Sequence, residues 1–350
     1  MATAVPPPAP APPPPPIDHA HHSPPPHIRV IHKTLQKSLS NDEIPILDFS
    51  GGGGIPEYHR KRLKLHGTIS RQQVREAFAQ FTRAAGAGEE EGVQGEEQQD
   101  GIQEEGDVEI WEHSSVPGLQ LIPSLLPLSI QSTLLTALLT TSLSDTSTHK
   151  TNLHAHYTLP TPCNFFTLPS TTVLSPLTSI HKPITLAQAL SKKLRWVTLG
   201  GQYDWTLKQY PTDTPPEFPA DVAGLVSGCF PEIVPQAAIV NLYSPSDTLA
   251  PHRDISEASG AGLVSVSIGC AGIFVIGCDG EEEGEVLAVR LNSGDAVVMA
   301  GSSRWAWHSV PKILAGTCPV GLEQWDGGSD SWKGWMRGKR VNLNVRQMWG

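Results

Sequence analysis

The second half of the sequence is a series of short apolar stretches separated by turn residues, with no long helix between them. These stretches are residues 237–243, 263–268, 273–276, 285–291 and 296–299. Apolar runs of this length, bounded by turn residues, predict β-strands. Many short strands in succession are typical of a barrel or a sandwich. The pattern therefore predicts a mainly β fold for this half of the chain.

Three potential metal ligands fall within this region. His252 and Asp254 are two residues apart, and His308 follows on another strand-like stretch. In an extended strand, side chains i and i+2 point to the same face, so His252 and Asp254 should converge. Two histidines and one carboxylate, with coordination positions left open, are the ligand set of non-haem Fe(II) oxygenases. A lone His-x-Asp is weak evidence, because Asp254 could equally orient a neighbouring group.

The last predicted strand strengthens the metal interpretation. Alternation places one polar set on one face of this strand, namely Arg340, Asn342, Asn344 and Arg346. Burying two guanidinium groups on the inner face of a barrel costs free energy unless an anion balances their charge. Because arginine binds carboxylates in a bidentate manner, a dicarboxylate would balance them.

Together these motifs resemble the AlkB-type Fe(II)/2-oxoglutarate dioxygenases, over about residues 117–350. The matching pieces are Asn241-x-Tyr243, His252-x-Asp254, residues 265–269, residues 301–304 before His308, and the alternating set of residues 340–346. Residues 194–200, 203–205 and 252–257 resemble the AlkB homologue 1 branch.

The resemblance implies an α+β, mainly β protein with a double-stranded β-helix (jelly-roll) core, N-terminal helices packed on it and a disordered N-terminal tail. It implies that iron is bound by His252, Asp254 and His308, with dioxygen as the oxidant. It also implies that 2-oxoglutarate is bound by Asn241, Tyr243, Arg340, Asn342, Asn344 and Arg346. Asn344 stands where the family usually has threonine, and it keeps a hydrogen-bonding group.

The function implied is oxidative demethylation of N-methylated bases in tRNA or DNA, releasing formaldehyde and succinate, as in tRNA modification or DNA repair. Aromatic residues interleaved with a basic residue are suited to stacking on nucleobases. Candidate substrate residues are Tyr203, Trp205, Lys208, Ser256, Glu257 and Arg304. Ser256 stands where bacterial-type members carry a substrate-reading acid. Two alternatives remain open: an oxygenase acting on a protein side chain, and a non-catalytic nucleic-acid-binding module.

Residues 1–106 read as a low-complexity, largely disordered region, followed by a dioxygenase domain over residues 107–350. Residues 1–27 are mostly Pro, Ala and His, and residues 86–109 form an acidic, Gly-rich linker. Between them, residues 60–64 form a basic cluster that could contact phosphates, serve as a nuclear signal, or be a solvated helix face.

The remaining features concern compartment and membranes. Five cysteines without CxxC spacing predict reduced thiols in an intracellular protein, in the nucleus or cytoplasm, with the mitochondrion also open. Residues 114–144 carry no charge. Its three prolines argue against a membrane span. We instead expect a strand over 119–122, followed by a helix packed through Leu134, Leu135, Leu138 and Leu139. The sequence does not indicate an oligomeric state.

Overall fold

The computed structural model describes residues 23–39, 44–51, 54–86, 106–145, 148–160, 164–204, 210, 214–278, 285–325 and 327–349. The strands there are β1 (Ile46–Leu47), β2 (Leu63–Ile69), β3 (Val108–His113), β4 (Leu119–Ile122), β5 (Val173–Leu174), β6 (Ile184–Thr185), β7 (Trp196–Gly200), β8 (Ala237–Tyr243), β9 (Leu249–His252), β10 (Leu263–Gly269), β11 (Gly272–Gly277), β12 (Val286–Leu291), β13 (Ala296–Met299), β14 (Trp307–Ile313) and β15 (Arg340–Arg346). The α-helices are α1 (Pro26–Lys37), α2 (Glu57–Arg60), α3 (Arg71–Ala84), α4 (Leu128–Thr136), α5 (Leu186–Gln188), α6 (Ala220–Cys229) and α7 (Val320–Glu323).

Two sheets form the centre of the molecule. The smaller has the strand order β1-β12-β11-β14-β9, and the larger has the order β2-β3-β4-β13-β10-β15-β8-β7. One apolar cluster joins strands of both sheets, including Leu121, Leu263, Phe274 and Val289. The prediction of a mainly β fold for the second half is confirmed, and the cluster shows that the sheets pack face to face.

Helices cover the outer faces of both sheets. Side chains of α3, α4 and α6, such as Phe81, Leu134 and Leu225, belong to the cluster on the large sheet. On the small sheet, Leu35 of α1 packs with Ile273 and neighbouring residues. Helices on both sides of the sandwich therefore pack on the sheet core through their apolar side chains.

Most predicted elements of residues 107–350 are present. The bounds of β4, β8 and β13 match the predicted stretches, and the predicted leucine-rich helix is α4, continued by a π-helical turn over Ala137–Thr141. In the described ranges, no helix combines the length and apolar character that a membrane crossing requires.

The predicted boundary near Asp107 is wrong. Strand β2 pairs with β3 on the other side of that residue, so residues 63–69 belong to the large sheet. Helices α1 and α3 also pack on the core, and the prediction of a largely disordered region fails for residues 26–39 and 54–86. The average composition of residues 1–106 obscured two amphipathic helices, α1 and α3. The proline-rich stretch up to residue 22 and the acidic linker over 87–105 lie outside the described residues.

The basic cluster at residues 60–64 pairs largely with neighbouring groups. Arg60 and Lys61 each lie 3.3 Å from a carboxylate oxygen of Glu57, and Arg62 lies 3.6 Å from Glu285. Arg62 also stacks on the ring of Tyr58. Such exposed pairs contribute little stability, but they partly balance the charge. The arrangement favours a solvated surface over a phosphate-binding patch.

A chain of hydrogen bonds through two buried histidines joins the N-terminal segment to the large sheet. His59 Nε2 lies 3.0 Å from the carbonyl oxygen of Pro45, and His59 Nδ1 lies 3.1 Å from His113 Nε2. The amide of Ser115 donates to His113 Nδ1. Because a carbonyl only accepts, His59 donates from Nε2; because the Ser115 amide donates to Nδ1 of His113, that ring donates from Nε2 to Nδ1 of His59. Each ring therefore carries a single proton and is neutral. Burial, then the nearby His59, lowers the pKa of His113 to about 4.

Candidate active site

The three predicted metal ligands converge in the structure. The ligand atoms of His252, Asp254 and His308 all lie within 4.8 Å of one another. His252 and His308 are register partners on the neighbouring strands β9 and β14. Strand β9 ends at His252, so Asp254 lies just beyond regular strand geometry, whereas the sequence predicted both residues on one strand. The convergence is as predicted, but the strand fixes only the histidines.

Hydrogen bonds set the tautomer of both imidazoles. His252 Nδ1 lies 2.9 Å from the carbonyl oxygen of Ala250, and His308 Nδ1 lies 3.1 Å from that of Ala306. Each Nδ1 must therefore carry the proton, which leaves a lone pair on each Nε2 for a metal. Burial, then His252, lowers the pKa of His308 to about 4, so His308 is neutral at neutral pH.

Asp254 is held as a carboxylate by nearby positive charge. Burial alone would raise its pKa, but the guanidinium of Arg346 outweighs that effect and holds the pKa well below its usual range. Arg346 donates from Nη2 to Oδ2 of Asp254 at 3.1 Å. Oδ1 lies 3.8 Å from Nε2 of His252, on the side of the ligand cluster. One carboxylate oxygen is thus bound by arginine, and the other is directed toward the imidazoles.

Arg340 is a buried cation at the other end of strand β15. Its Nη1 donates to the carbonyl oxygens of Cys270 and Leu291, both at 3.2 Å, and its Nη2 donates to Ser267 Oγ at 2.7 Å. Burial lowers the pKa of its guanidinium. Among the described residues, its buried Nε has no hydrogen-bond partner and no carboxylate forms an ion pair with it. A buried arginine with this environment is suited to an anionic ligand.

The amide side chains predicted on the same face lie between the two arginines. Asn344 donates to Asn342 Oδ1 at 2.9 Å, and Asn342 donates to Ser265 Oγ at 2.9 Å. In the adjacent strand β8, Asn241 pairs in register with Asn342, and Tyr243 pairs with Arg340. The alternation read from the sequence therefore gave the correct face.

A cavity of 410 Å³ contains all of these groups. The two histidines come from the small sheet, and the polar set of strands β8 and β15 comes from the large sheet. Apolar side chains of both sheets complete the walls, among them Phe274, Leu291, Val297 and Met299. The cavity lies between the sheets, with the metal ligands on one side and the arginines on the other.

The predicted substrate residues divide into three groups. Tyr203 and Ser256 line the cavity, with their hydroxyl oxygens 3.4 Å apart. Arg304 is fully buried, and Glu257 lines the cavity with both carboxylate oxygens bound by arginines; a role in substrate binding stays a prediction for both residues. Trp205 and Lys208 lie outside the described residues.

The groups that hold Arg340 were not predicted from the sequence. Ser267 belongs to the alternating stretch of strand β10, where Ser265 lines the cavity and Ser267, two residues further on, accepts a hydrogen bond from Arg340. The alternation of serine with valine was a usable signal for an inward polar face. The carbonyls of Cys270 and Leu291 could not be found in this way, because main-chain acceptors leave no trace in side-chain identity.

Iron(II) and 2-oxoglutarate fit the residues present. Two imidazoles and a carboxylate are the donor set that iron(II) takes in non-haem oxygenases. In the described part of the chain, the buried Nε atoms of Arg340 and Arg346 lack partners, which suits a ligand with two carboxylates.

Comparison with known proteins agrees with this geometry. The family model described as the 2OG-Fe(II) oxygenase superfamily matches residues 118–346, which contain His252, Asp254, His308 and the two arginines of strand β15. The chain belongs to the 2OG-Fe(II) oxygenase superfamily. Members of this superfamily are defined by iron(II) and 2-oxoglutarate, and the sequence-based identification of the family is confirmed.

Three relatives of this oxygenase have named activities. The N6-methyladenosine RNA demethylase ALKB1 of Pyricularia oryzae is 46% identical over 277 residues, covering 69% of this chain and 77% of the relative. The N6-methyladenosine RNA demethylase ALKBH of Cryphonectria parasitica is 48% identical over 221 residues, covering 56% and 99%. The tRNA demethylase abh1 of Schizosaccharomyces pombe is 38% identical over 252 residues, covering 68% and 82%.

Proposed function

We propose that this oxygenase is an oxidative demethylase of N-methylated bases in RNA or DNA, dependent on iron(II) and 2-oxoglutarate. One observation carries the proposal: a single cavity contains both an open His-His-Asp ligand set and the unbalanced guanidinium of Arg340. The relatives, named as RNA and tRNA demethylases, support nucleic acid as the substrate.

In this proposal His252, Asp254 and His308 bind the iron. The two histidines would use Nε2, because Nδ1 of each donates to a carbonyl. Asp254 would use Oδ1, because Arg346 occupies Oδ2. Three protein ligands leave coordination positions for the cosubstrate and dioxygen.

Arg340 would bind the distal carboxylate of 2-oxoglutarate, with Tyr243 and Asn241 beside it on strand β8. Arg346 and Asn342 would lie at the keto-acid end, nearer the iron ligands. Arg346 already contacts Asp254, so it would link the cosubstrate to the metal.

When bound, iron and 2-oxoglutarate supply the oxidation, in which dioxygen converts an N-methyl group to N-hydroxymethyl while 2-oxoglutarate becomes succinate and carbon dioxide. The N-hydroxymethyl group then leaves as formaldehyde. The protein holds the methyl carbon near the metal, and the apolar walls exclude water. Tyr203 and Ser256 offer hydroxyls for the edge of the base. Because a paired base cannot enter a cavity, the target must be single-stranded or flipped out.

The test is turnover on a panel of methylated RNA and DNA oligonucleotides with iron(II) and 2-oxoglutarate. We expect equal amounts of formaldehyde and succinate, and none from Asp254→Ala, which loses the anionic ligand. If the protein binds metal and 2-oxoglutarate but demethylates no oligonucleotide, the substrate class is wrong. The protein side-chain alternative would then be the one to pursue.

We also propose that the two facing sheets form a double-stranded β-helix. The antiparallel neighbours β13-β10-β15-β8 and β12-β11-β14-β9, with ligands on β9 and β14, support this assignment. An experimental structure with traced strand connections would test it.

A further inference from the structure

The ligand Asp254 lies on a segment without regular secondary structure. Residues 253–262 contain no helix or strand, whereas the two histidine ligands are on paired strands. Strand pairing therefore fixes the histidines but not the carboxylate. Side-chain contacts must place Asp254, because a metal ligand has to be held to within a fraction of an ångström.

Arg304 holds this segment at both ends. Its Nη1 donates to the carbonyl oxygen of Asp254 at 2.6 Å, and its Nε donates to that of Ala261 at 3.1 Å. The Arg304 side chain is fully buried, in the 3₁₀ turn Gly301–Trp305 that directly precedes the strand of His308. The arginine thus connects the segment of one ligand to the turn before another.

Glu257 lies between this arginine and the arginine that binds Asp254. Its Oε2 accepts from Arg304 Nη2 at 3.0 Å, and its Oε1 accepts from Arg346 Nη1 at 2.9 Å. Glu257 lines the cavity, but its side chain is 1% exposed and both of its carboxylate oxygens are bound by arginines, so substrate has little access to it. Because Arg346 also binds the Asp254 carboxylate, the contacts form a closed ring: Asp254 side chain, Arg346, Glu257, Arg304, Asp254 main chain.

We propose that Glu257 and Arg304 are positioning residues that set the geometry of the Asp254 ligand, and that neither reads the substrate. This inference rests on the proposed function, since it assigns Asp254 to iron. The ring balances two cations with two anions, which makes its burial tolerable. Replacing Glu257 by a neutral group leaves two buried guanidiniums close together without their shared anion. Their repulsion then moves Arg346, Arg304 and the segment that both hold.

The experiment compares Glu257→Gln with wild type in Mn(II) binding without oxygen, measured by calorimetry. Outer partners of metal ligands typically change affinity by about 10- to 100-fold, and we expect a loss in that range. At saturating metal and 2-oxoglutarate, the KM for a methylated oligonucleotide should stay at the wild-type value. The matched control is Glu323→Gln, which breaks an exposed pair with Arg337 away from the cavity, and it should bind Mn(II) like wild type.

Equal Mn(II) affinity of Glu257→Gln and wild type would overturn the inference. An increased KM with unchanged metal affinity would likewise overturn it, because Glu257 would then read the substrate. If the wild-type protein itself binds no metal, the proposed function fails instead.

Amide hydrogen exchange of residues 255–262 in metal-free protein tests the ring independently of metal binding. Exchange should be faster in Glu257→Gln than in wild type, and equal exchange would contradict the ring.

If Glu257→Gln does not fold, Glu257→Asp keeps the charge but shortens the reach. It should show a smaller loss of metal affinity than Arg304→Met, and the reverse order would refute the role of the shared charge.

Discussion

At the scale of single residues, the site depends on which atoms are already occupied. The ring Nδ1 atoms of His252 and His308 and the Oδ2 of Asp254 are bound by the protein itself. The free atoms that remain all face one cluster. Residue types and spacing were sufficient to predict that His252, Asp254 and His308 converge. They could not reveal the roles of Glu257 and Arg304, because those roles come from contacts between distant segments.

A substitution at Gly272 would test how closely the Arg340 side chain is packed. A Cβ added at Gly272 would lie 3.0 Å from Arg340 Nε and 3.2 Å from Cζ, closer than ordinary contact. Gly272→Ala should displace the guanidinium and weaken 2-oxoglutarate binding by about tenfold, because small misplacements are expensive in a positioned site. Calorimetry with 2-oxoglutarate measures this. Gly338→Ala is the control, since a Cβ there meets nothing within 4 Å; equal effects of both variants would contradict the prediction.

Arg340 itself should control the requirement for 2-oxoglutarate. Arg340→Ala removes the only charged partner proposed for the distal carboxylate, and truncating one side of a buried charge pair costs about 2–5 kcal/mol. We expect the KM for 2-oxoglutarate to rise by about 30-fold or more. Arg290→Ala, which loses a partly exposed pair with Asp48, is the matched control. An unchanged KM in Arg340→Ala would place the cosubstrate elsewhere.

At the scale of elements, the strands were easier to predict than the N-terminal helices. The strands of the second half alternate or run apolar over their whole length, and turn residues mark their ends. Helix α1 carries Ile28, Ile31 and Leu35 at helical spacing, and α3 begins with Ser70 accepting from the amide of Gln73. Both signals were present in the sequence. The surrounding Pro-rich and acidic stretches obscured them.

Helix α1 should contribute substantially to stability. Leu35 is fully buried against Ile273, Val275 and Ala288 on the outer face of the small sheet. Leu35→Ala should lower the free energy of unfolding by about 2–5 kcal/mol, as measured by urea denaturation. On the same helix, Val30 is 62% exposed, and Val30→Ala should change stability by no more than about 0.5 kcal/mol. A small loss for Leu35→Ala would mean that α1 is not docked in solution.

At the scale of the whole molecule, chain segments far apart in sequence assemble one folded unit. The histidine chain from Pro45 through His59 to His113 joins the N-terminal segment to strand β3. Sequence alone could not predict this contact, because buried histidines have no characteristic spacing. It shows why a boundary drawn from composition at Asp107 separated residues that fold together.

The same histidines predict a pH dependence of stability. The pKa of His113 is about 4 in the folded chain, below the usual 6.5, so the unfolded chain binds the proton more readily. The contribution of neutral His113 to the free energy of unfolding is fully present above pH 6.5. It falls as the pH drops toward 4, by at most about 1.4 kcal/mol per pH unit. Urea denaturation of wild type and His113→Gln between pH 7 and pH 4.5 measures this. The variant should lose less stability on acidification, and parallel curves would contradict the prediction.

The division of the cavity between the two sheets has a further consequence. The two histidines belong to the small sheet, whereas Arg340 and Arg346 belong to the large one. A cosubstrate that coordinates the metal and also reaches Arg340 would therefore bridge the halves of the sandwich as a cross-link does. Because a ligand that binds only the folded chain stabilises it by mass action, the melting temperature should rise with the concentration of this small molecule.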